Sequence, residues 1–258
     1  MKNSVIIIRL CLLSVLPFFA FQWIYAQDIS NSSEFFSKTN VFFESHVQES
    51  SIKYTKIKKD TKPLLDLIHF IETTPLDELP EGDRKAYLIN TYNLLIIKAV
   101  LDHFPTLSTQ DIDGFFSKES HLVGGEHITL DRLEKEILLK KYPDSRLHFA
   151  LVCAAKGCPP IANFAYTPTN LDTQLEQQTK KAINSSNFLF MEEVSNTAYL
   201  SPIFQWYTDD FSPNVFTFIN QYKSTPLPEG CLIKHYEYDW KLNAWELEIV
   251  EDLIITRY

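Results

Sequence analysis

Arg84-Lys-Ala-Tyr-Leu-Ile-Asn-Thr-Tyr-Asn-Leu-Leu-Ile-Ile-Lys-Ala-Val-Leu-Asp-His-Phe104 is the strongest helix of the chain. Apolar residues fall on nearly every face of it, and a helix that is apolar all round is buried. Pro105 closes it. The rest of the fold is therefore expected to wrap around this one element. Two polar residues interrupt it, Asn90 and Asn93, three apart and so on one face. A buried Asn must find hydrogen-bond partners or cost roughly 1–3 kcal/mol. One reading is that both tie the helix to a neighbouring loop backbone. The other is that they face a cleft and orient a catalytic group or a substrate.

Upstream, residues 27–50 suggest a helix with a late-docking apolar face, and Ser51 to Tyr54 a short extended piece. Thr61-Lys62-Pro63 opens a further helix, with proline at an early position where its missing N–H costs little; Thr73-Thr74-Pro75 ends it. Downstream, residues 106–120 read as loop. His121 to Ile128 carries a Gly-Gly turn between extended pieces, a hairpin signal. A helix capped by Thr129 runs to Lys140 or Lys141 and presents Glu134 just before the next segment. Leu147 to Val152 is a continuous apolar run that fits a buried strand. Thr167 to Ser185 reads as a helix and Phe188 to Leu200 as one or two strands. Two short aromatic-rich helices, Ser201 to Asp210 and Pro213 to Tyr222, precede a strand in Cys231 to Tyr238, and Glu246 to Ile255 reads as a final strand or helix. Helices bracket scattered strands without βα alternation. The expectation is an α+β, helix-rich single domain (residues 27–258) around a small, mainly antiparallel sheet.

Residues 1–26 read as a cleavable signal peptide. Lys2 and Arg9 form a positive start, Leu10 to Trp23 an uncharged apolar run, and Ala26 offers a small residue at the cleavage point. An uncleaved anchor is the competing reading. The mature chain is expected to be secreted or periplasmic, with no integral membrane domain. Without residues 1–26, which contain two basic residues and no acidic one, 22 Lys+Arg stand against 33 Asp+Glu, a net charge of −11. That balance argues against nucleic acid, which demands basic patches.

The chemistry concentrates in Arg146-Leu-His-Phe-Ala-Leu-Val-Cys-Ala-Ala-Lys-Gly-Cys-Pro-Pro-Ile161. Outside the cytoplasm, Cys153 and Cys158 can form a disulfide, leaving Cys231 unpaired. The alternatives are a catalytic or redox-active thiol, or two packing cysteines. If Pro159-Pro160 begin a helix, Cys158 sits at its N-terminus, where the dipole stabilises a thiolate. On a regular strand His148 and Cys153 face opposite sides, so only a His148–Cys158 pairing survives as nucleophile and base. His148 is otherwise a hydrogen-bonded core histidine. The spacing of His121, His127, His148 and the cysteines matches no familiar zinc pattern. No metal and no cofactor are expected.

Four segments together resemble the domain-of-unknown-function 547 family. Asp83 to Asn93 is similar to its Arg-x-Ala-Phe-Trp-Ile-Asn-x-Tyr-Asn stretch, and Gly124-Gly125 with Thr129 to Glu134 to its Gly-Gly and Ser-Leu-x-x-Ile-Glu segment. Arg146 to Pro160 resembles its Arg-x-His-Phe-Ala-Leu-x-Cys-x-x-x-x-Cys-Pro signature, and Tyr238 to Asn243 its closing Tyr-Asp-Trp-x-Leu-Asn. The resemblance implies an exported bacterial member, with Asn90, Asn93, Glu134, Arg146, His148, Cys153, Cys158 and Pro159 on family positions. Many relatives have His after the glutamate, where this chain has Lys135. The functional expectation is a thiol-dependent hydrolase or transferase acting on a peptide or amide. Cys158 or Cys153 would be the nucleophile, His148 the base, and Asn90 or Asn93 an orienting group. The alternative is a non-enzymatic binding or envelope protein with a structural Cys153–Cys158 disulfide and a small-molecule or peptide ligand.

Overall fold

The computed structural model describes residues 32–245. At its centre lies the helix α4, Glu81–Asp102, whose residues from Ala86 to Ile97 are all buried. Around it pack α1 (residues 32–46), α2 (Tyr54–Lys59), α3 (Lys62–Thr73) and α5 (residues 130–141). The C-terminal half adds α6 (Leu171–Ile183) and the short α7 (Ile203–Trp206) and α8 (Val215–Tyr222). Phe35 and Tyr87 stack at 4.3 Å to seal α1 against α4, and a second aromatic knot of Phe149, Phe188, Phe204, Phe211 and Phe218 closes the other side.

The strands are small and lie apart. β1 (Val47–Gln48) pairs with β2 (Ser51–Ile52), and β3 (Ser120–Val123) with β4 (Glu126–Thr129), both antiparallel. The β3–β4 hairpin turns at Gly124 and Gly125, with φ of +58° and +83°. Two consecutive positive φ values are the signature of a tight turn that glycine enters without strain. A third sheet orders β5 (Leu189–Glu192), β6 (Thr197–Leu200) and β7 (Leu232–His235), with β6–β7 parallel. The fold is α+β, with its sheets mostly antiparallel and set around the buried helix.

Two local expectations are corrected. Leu147–Val152 is not a strand: Ser145–Phe149 is a 3₁₀ turn, opened by the Asp144 side chain accepting from Arg146 N–H, and the chain continues irregularly to Cys158. An apolar run signals burial without fixing a period, and the backbone here is satisfied by turn bonds to the Leu147 carbonyl and by the Asn93 side chain of α4 instead of a ladder. Nor does Pro159-Pro160 begin a helix; residues 159–163 are irregular. Strand parity and a helix dipole at Cys158 therefore play no part in the site. The signal peptide and the element read in 246–255 lie outside the described residues. No helix among those described is long and apolar enough to cross a membrane.

Candidate functional site

A cavity of about 320 Å³ opens where α4, α5, the cysteine loop and the segment 238–240 meet. Four of the six residues singled out from the sequence line it: Glu134, His148, Cys153 and Cys158. Asn90 and Asn93 do not.

The two asparagines hold the backbone that frames the cavity. Asn93 donates from Nδ2 to the Ala150 carbonyl at 2.9 Å and accepts from Val152 N–H at 3.1 Å. Asn90 makes the same two-way clasp on Tyr166, donating to its carbonyl at 2.7 Å and accepting from its N–H at 2.9 Å. Each thereby replaces ladder bonds that the irregular segment lacks. Between them in sequence, α4 projects Tyr92 into the cavity.

Glu134 comes from α5, which is wound with wide i→i+5 bonds over Arg132–Leu139. Thr129 Oγ1 accepts from Arg132 N–H and starts the helix. The Glu134 carboxylate accepts from the Tyr92 hydroxyl at 2.6 Å and from the Tyr207 hydroxyl at 3.0 Å. Burial first, then the Glu134 charge, pushes both phenols above their ordinary range, so both stay protonated donors. Lys135 lines the cavity and pairs with Asp131 at 2.8 Å.

His148 is buried, its ring against that of Tyr207 at 4.2 Å, and its Nε2 lies 2.7 Å from Asp210 Oδ2. Asp210 is positioned in turn by Ser145, whose hydroxyl donates to its backbone carbonyl. Burial lowers the pKa of His148 and outweighs the opposing pull of Asp210. The imidazole therefore favours its neutral form, with its orientation fixed by the Asp210 carboxylate.

Cys153 and Cys158 form a disulfide, their sulfurs 2.12 Å apart. Three donors converge on Cys158 Sγ: Cys153 N–H at 3.0 Å, Ala155 N–H at 3.3 Å and the Tyr238 hydroxyl at 3.4 Å. Tyr238 Oη is also 3.1 Å from Cys153 Sγ. The loop between the cysteines is fixed by a ribbon of backbone bonds to 239–243: Lys156 N–H to Lys241, Gly157 N–H to Asp239, and Asn243 N–H to Ala154. Gly157 passes so close to the Tyr238 ring that a Cβ there would lie 3.0 Å from three ring atoms. Glycine is required by that approach. Cys231 is a free thiol.

Residues 76–183 match a family model described as protein of unknown function, DUF547. That stretch is similar to the DUF547 family. The matched span holds both asparagines, Glu134, His148 and both cysteines, so the DUF547 region carries most of the cavity wall. The similarity at Tyr238 to Asn243 lies beyond it. No curated protein and no solved structure matches the chain.

Tyr92, Tyr207, Asp210, Tyr238 and Trp240 were not singled out from the sequence. Tyr92, Tyr238 and Trp240 stand inside the segments that resemble the family, which was the available signal. Tyr207 and Asp210 had none, because their partners lie 73 and 62 residues away. Among the described residues, no group of three or more His, Cys, Asp or Glu is placed to hold a metal ion.

Proposed function

We propose that the chain is an exported, thiol-dependent hydrolase or transferase acting on a peptide or amide, and that the Cys153–Cys158 disulfide is the stored form of its nucleophile. The observation that carries this reading is the convergence of two backbone N–H groups and a phenol on Cys158 Sγ. A neutral disulfide sulfur gains little from three donors; a thiolate gains much. Reduction by an external dithiol opens the bridge, yielding two thiols and oxidising the dithiol. Cys158 Sγ then attacks the carbonyl carbon, forming an S–C bond as the C–N bond breaks. His148, oriented by Asp210, carries the proton to the departing amine. Water or a second nucleophile releases the acyl group and restores the thiol.

The test is a fluorogenic amide assay on the chain before and after dithiothreitol, with iodoacetamide labelling read by mass spectrometry. Turnover should appear only after reduction and fall by at least about a hundredfold in Cys158→Ser and in His148→Gln. A reduced, folded chain whose Cys158 resists alkylation, or a Cys158→Ser variant with full turnover, would sink the proposal.

A second reading, a binding or envelope protein with a structural bridge, is favoured by the ribbon that ties the cysteine loop to 239–243. It expects Cys153→Ser with Cys158→Ser to lower stability by roughly 2–3 kcal/mol, as loss of a short-loop crosslink does, while ligand binding survives.

Export is inferred from the apolar, basic-started residues 1–26 and is supported by a disulfide, which persists in oxidising compartments. N-terminal sequencing of the protein from a periplasmic or culture fraction should begin at or near Gln27. Recovery of the intact Met1 chain from the cytoplasm would refute it.

A further inference from the structure

The polar floor of the cavity can accept hydrogen bonds but has almost no hydrogen of its own to give. Glu134 is an acceptor. The Tyr92 and Tyr207 hydroxyl hydrogens are both spent on Glu134, which leaves only oxygen lone pairs at those positions. The Tyr238 hydrogen is directed to sulfur. His148 uses Nε2 on Asp210, and a neutral ring with that tautomer offers only a lone pair at Nδ1. Among the described residues, the side-chain donors that remain on the lining are Lys135, paired with Asp131 and half-exposed, and the indole N–H groups of Trp206 and Trp240; none of them bonds Glu134.

Beside this floor stands an aromatic wall. Tyr238, Trp206 and Trp240 cluster as a triangle of rings: Tyr238 has its centroid 4.9 and 4.7 Å from the two indoles, which are 6.1 Å apart and nearly parallel. Trp206 is 50% exposed although it adjoins a cavity, which leaves ring surface to be covered by whatever enters. Charged residues on the lining are Asp131 and Glu134 against Lys135, so the cavity carries a net negative charge.

We infer that the cavity recognises a primary ammonium group on an apolar stem, with the ammonium on Glu134 and the Tyr92 and Tyr207 oxygens and the stem along the Trp206–Tyr238–Trp240 wall. An ammonium brings three hydrogens and no acceptor, which is what this floor lacks. The π faces attract the same charge. A carboxylate or phosphate would meet lone pairs and a negative charge. The inference deepens the proposed function by naming its substrate class and rests on that reading only for where the ligand reacts. Binding is measured on the oxidised chain, where both cavity cysteines are bridged, so failure of turnover and failure of recognition are separate results.

The test is isothermal titration of the full oxidised chain with Nα-acetyl-lysine amide, its Nε-acetylated form and Nα-acetyl-glutamate amide. The lysine probe should bind at least about tenfold tighter than either other probe, the scale of one charge-assisted contact in a partly desolvated site. Glu134→Gln should abolish that preference. Trp206→Leu, at an exposed position that spares the fold, should weaken the lysine probe severalfold. n-Butylammonium separates the sources of the amine. Affinity equal to the lysine probe marks a free amine; much weaker affinity marks a peptide side chain. No binding of either amine, equal binding of the neutral or acidic probe, or a preference unchanged in Glu134→Gln would overturn the inference.

Discussion

The chemistry of the site turns on how single side chains are held. His148 illustrates it: burial lowers its pKa and Asp210 opposes the lowering, so Asp210→Asn should move it further down. NMR titration of the imidazole protons should find His148 below the ordinary value of about 6.5 in the native chain, and lower again in Asp210→Asn. Because the folded form takes the proton less readily than the unfolded chain, its protonation costs stability as pH falls below about 6.5 and nothing above it. A His148 that titrates at or above 6.5 would contradict the burial account. Gly157 is the other decisive residue. A methyl at that position presses on the buried Tyr238 ring and pushes it toward the cavity that it lines. Gly157→Ala should cost about 1–3 kcal/mol, as overpacking does, and should weaken the lysine probe, whereas a change at exposed Glu229 should do neither.

Among the elements, the central helix does more than fill the core. Asn93→Leu keeps the bulk of the side chain and leaves the Ala150 carbonyl and the Val152 N–H unpaired in the interior. Urea unfolding should show a loss of about 2–4 kcal/mol, from one to two unsatisfied groups; a loss under 1 kcal/mol would mean that the segment finds other partners. This clasp also explains the most instructive misreading of the sequence. Leu147–Val152 looks like a strand because it is apolar and short, yet the bonds a strand would draw from neighbours come from an asparagine 59 residues earlier. The helix around Asn93, the Gly-Gly hairpin and the start of α5 were legible because their signals are local: periodicity, a turn pair, a cap. The bland reading of Asn90 and Asn93, as ties from helix to loop, describes what they do. The Asp210 partner of His148 and the Tyr207 partner of Glu134 are long-range facts with no local trace.

For the whole molecule, charge binds distant parts into one acid-sensitive unit. Asp144 is partly buried, which alone would raise its pKa; hydrogen bonds from Arg146 and Lys85 overcome that and hold it at about 2. Its folded pKa is thus below the unfolded value near 3.9. The stability it contributes is full above about pH 4 and is lost as pH falls toward 2. Denaturant melts of the native chain and Asp144→Asn should differ by about 2 kcal/mol at pH 7 and converge at pH 2; a gap that persists at pH 2 would place the effect in packing instead. Lys85 comes from the central helix and Arg146 from the cysteine segment, so this trio locks the two parts of the site together.

The segment 238–245 reaches residues far back in the chain. It bonds Ile52 through Asn243 and Trp245, Leu107 through Leu242, and the cysteine loop through Asp239, Lys241 and Asn243. Contacts of such high sequence separation are formed late, because loop closure must be overcome before they contribute. The cavity therefore cannot assemble as the chain emerges. Until residues 238–245 arrive, the two thiols lack the Tyr238 hydroxyl and the backbone bonds to 239–243, and they lie in an open loop. Oxidation would then precede maturation of the pocket, and the bridge would be inherited from the folding route instead of being made by the finished site. Pulse-chase trapping should find Cys153–Cys158 joined before the chain becomes protease-resistant.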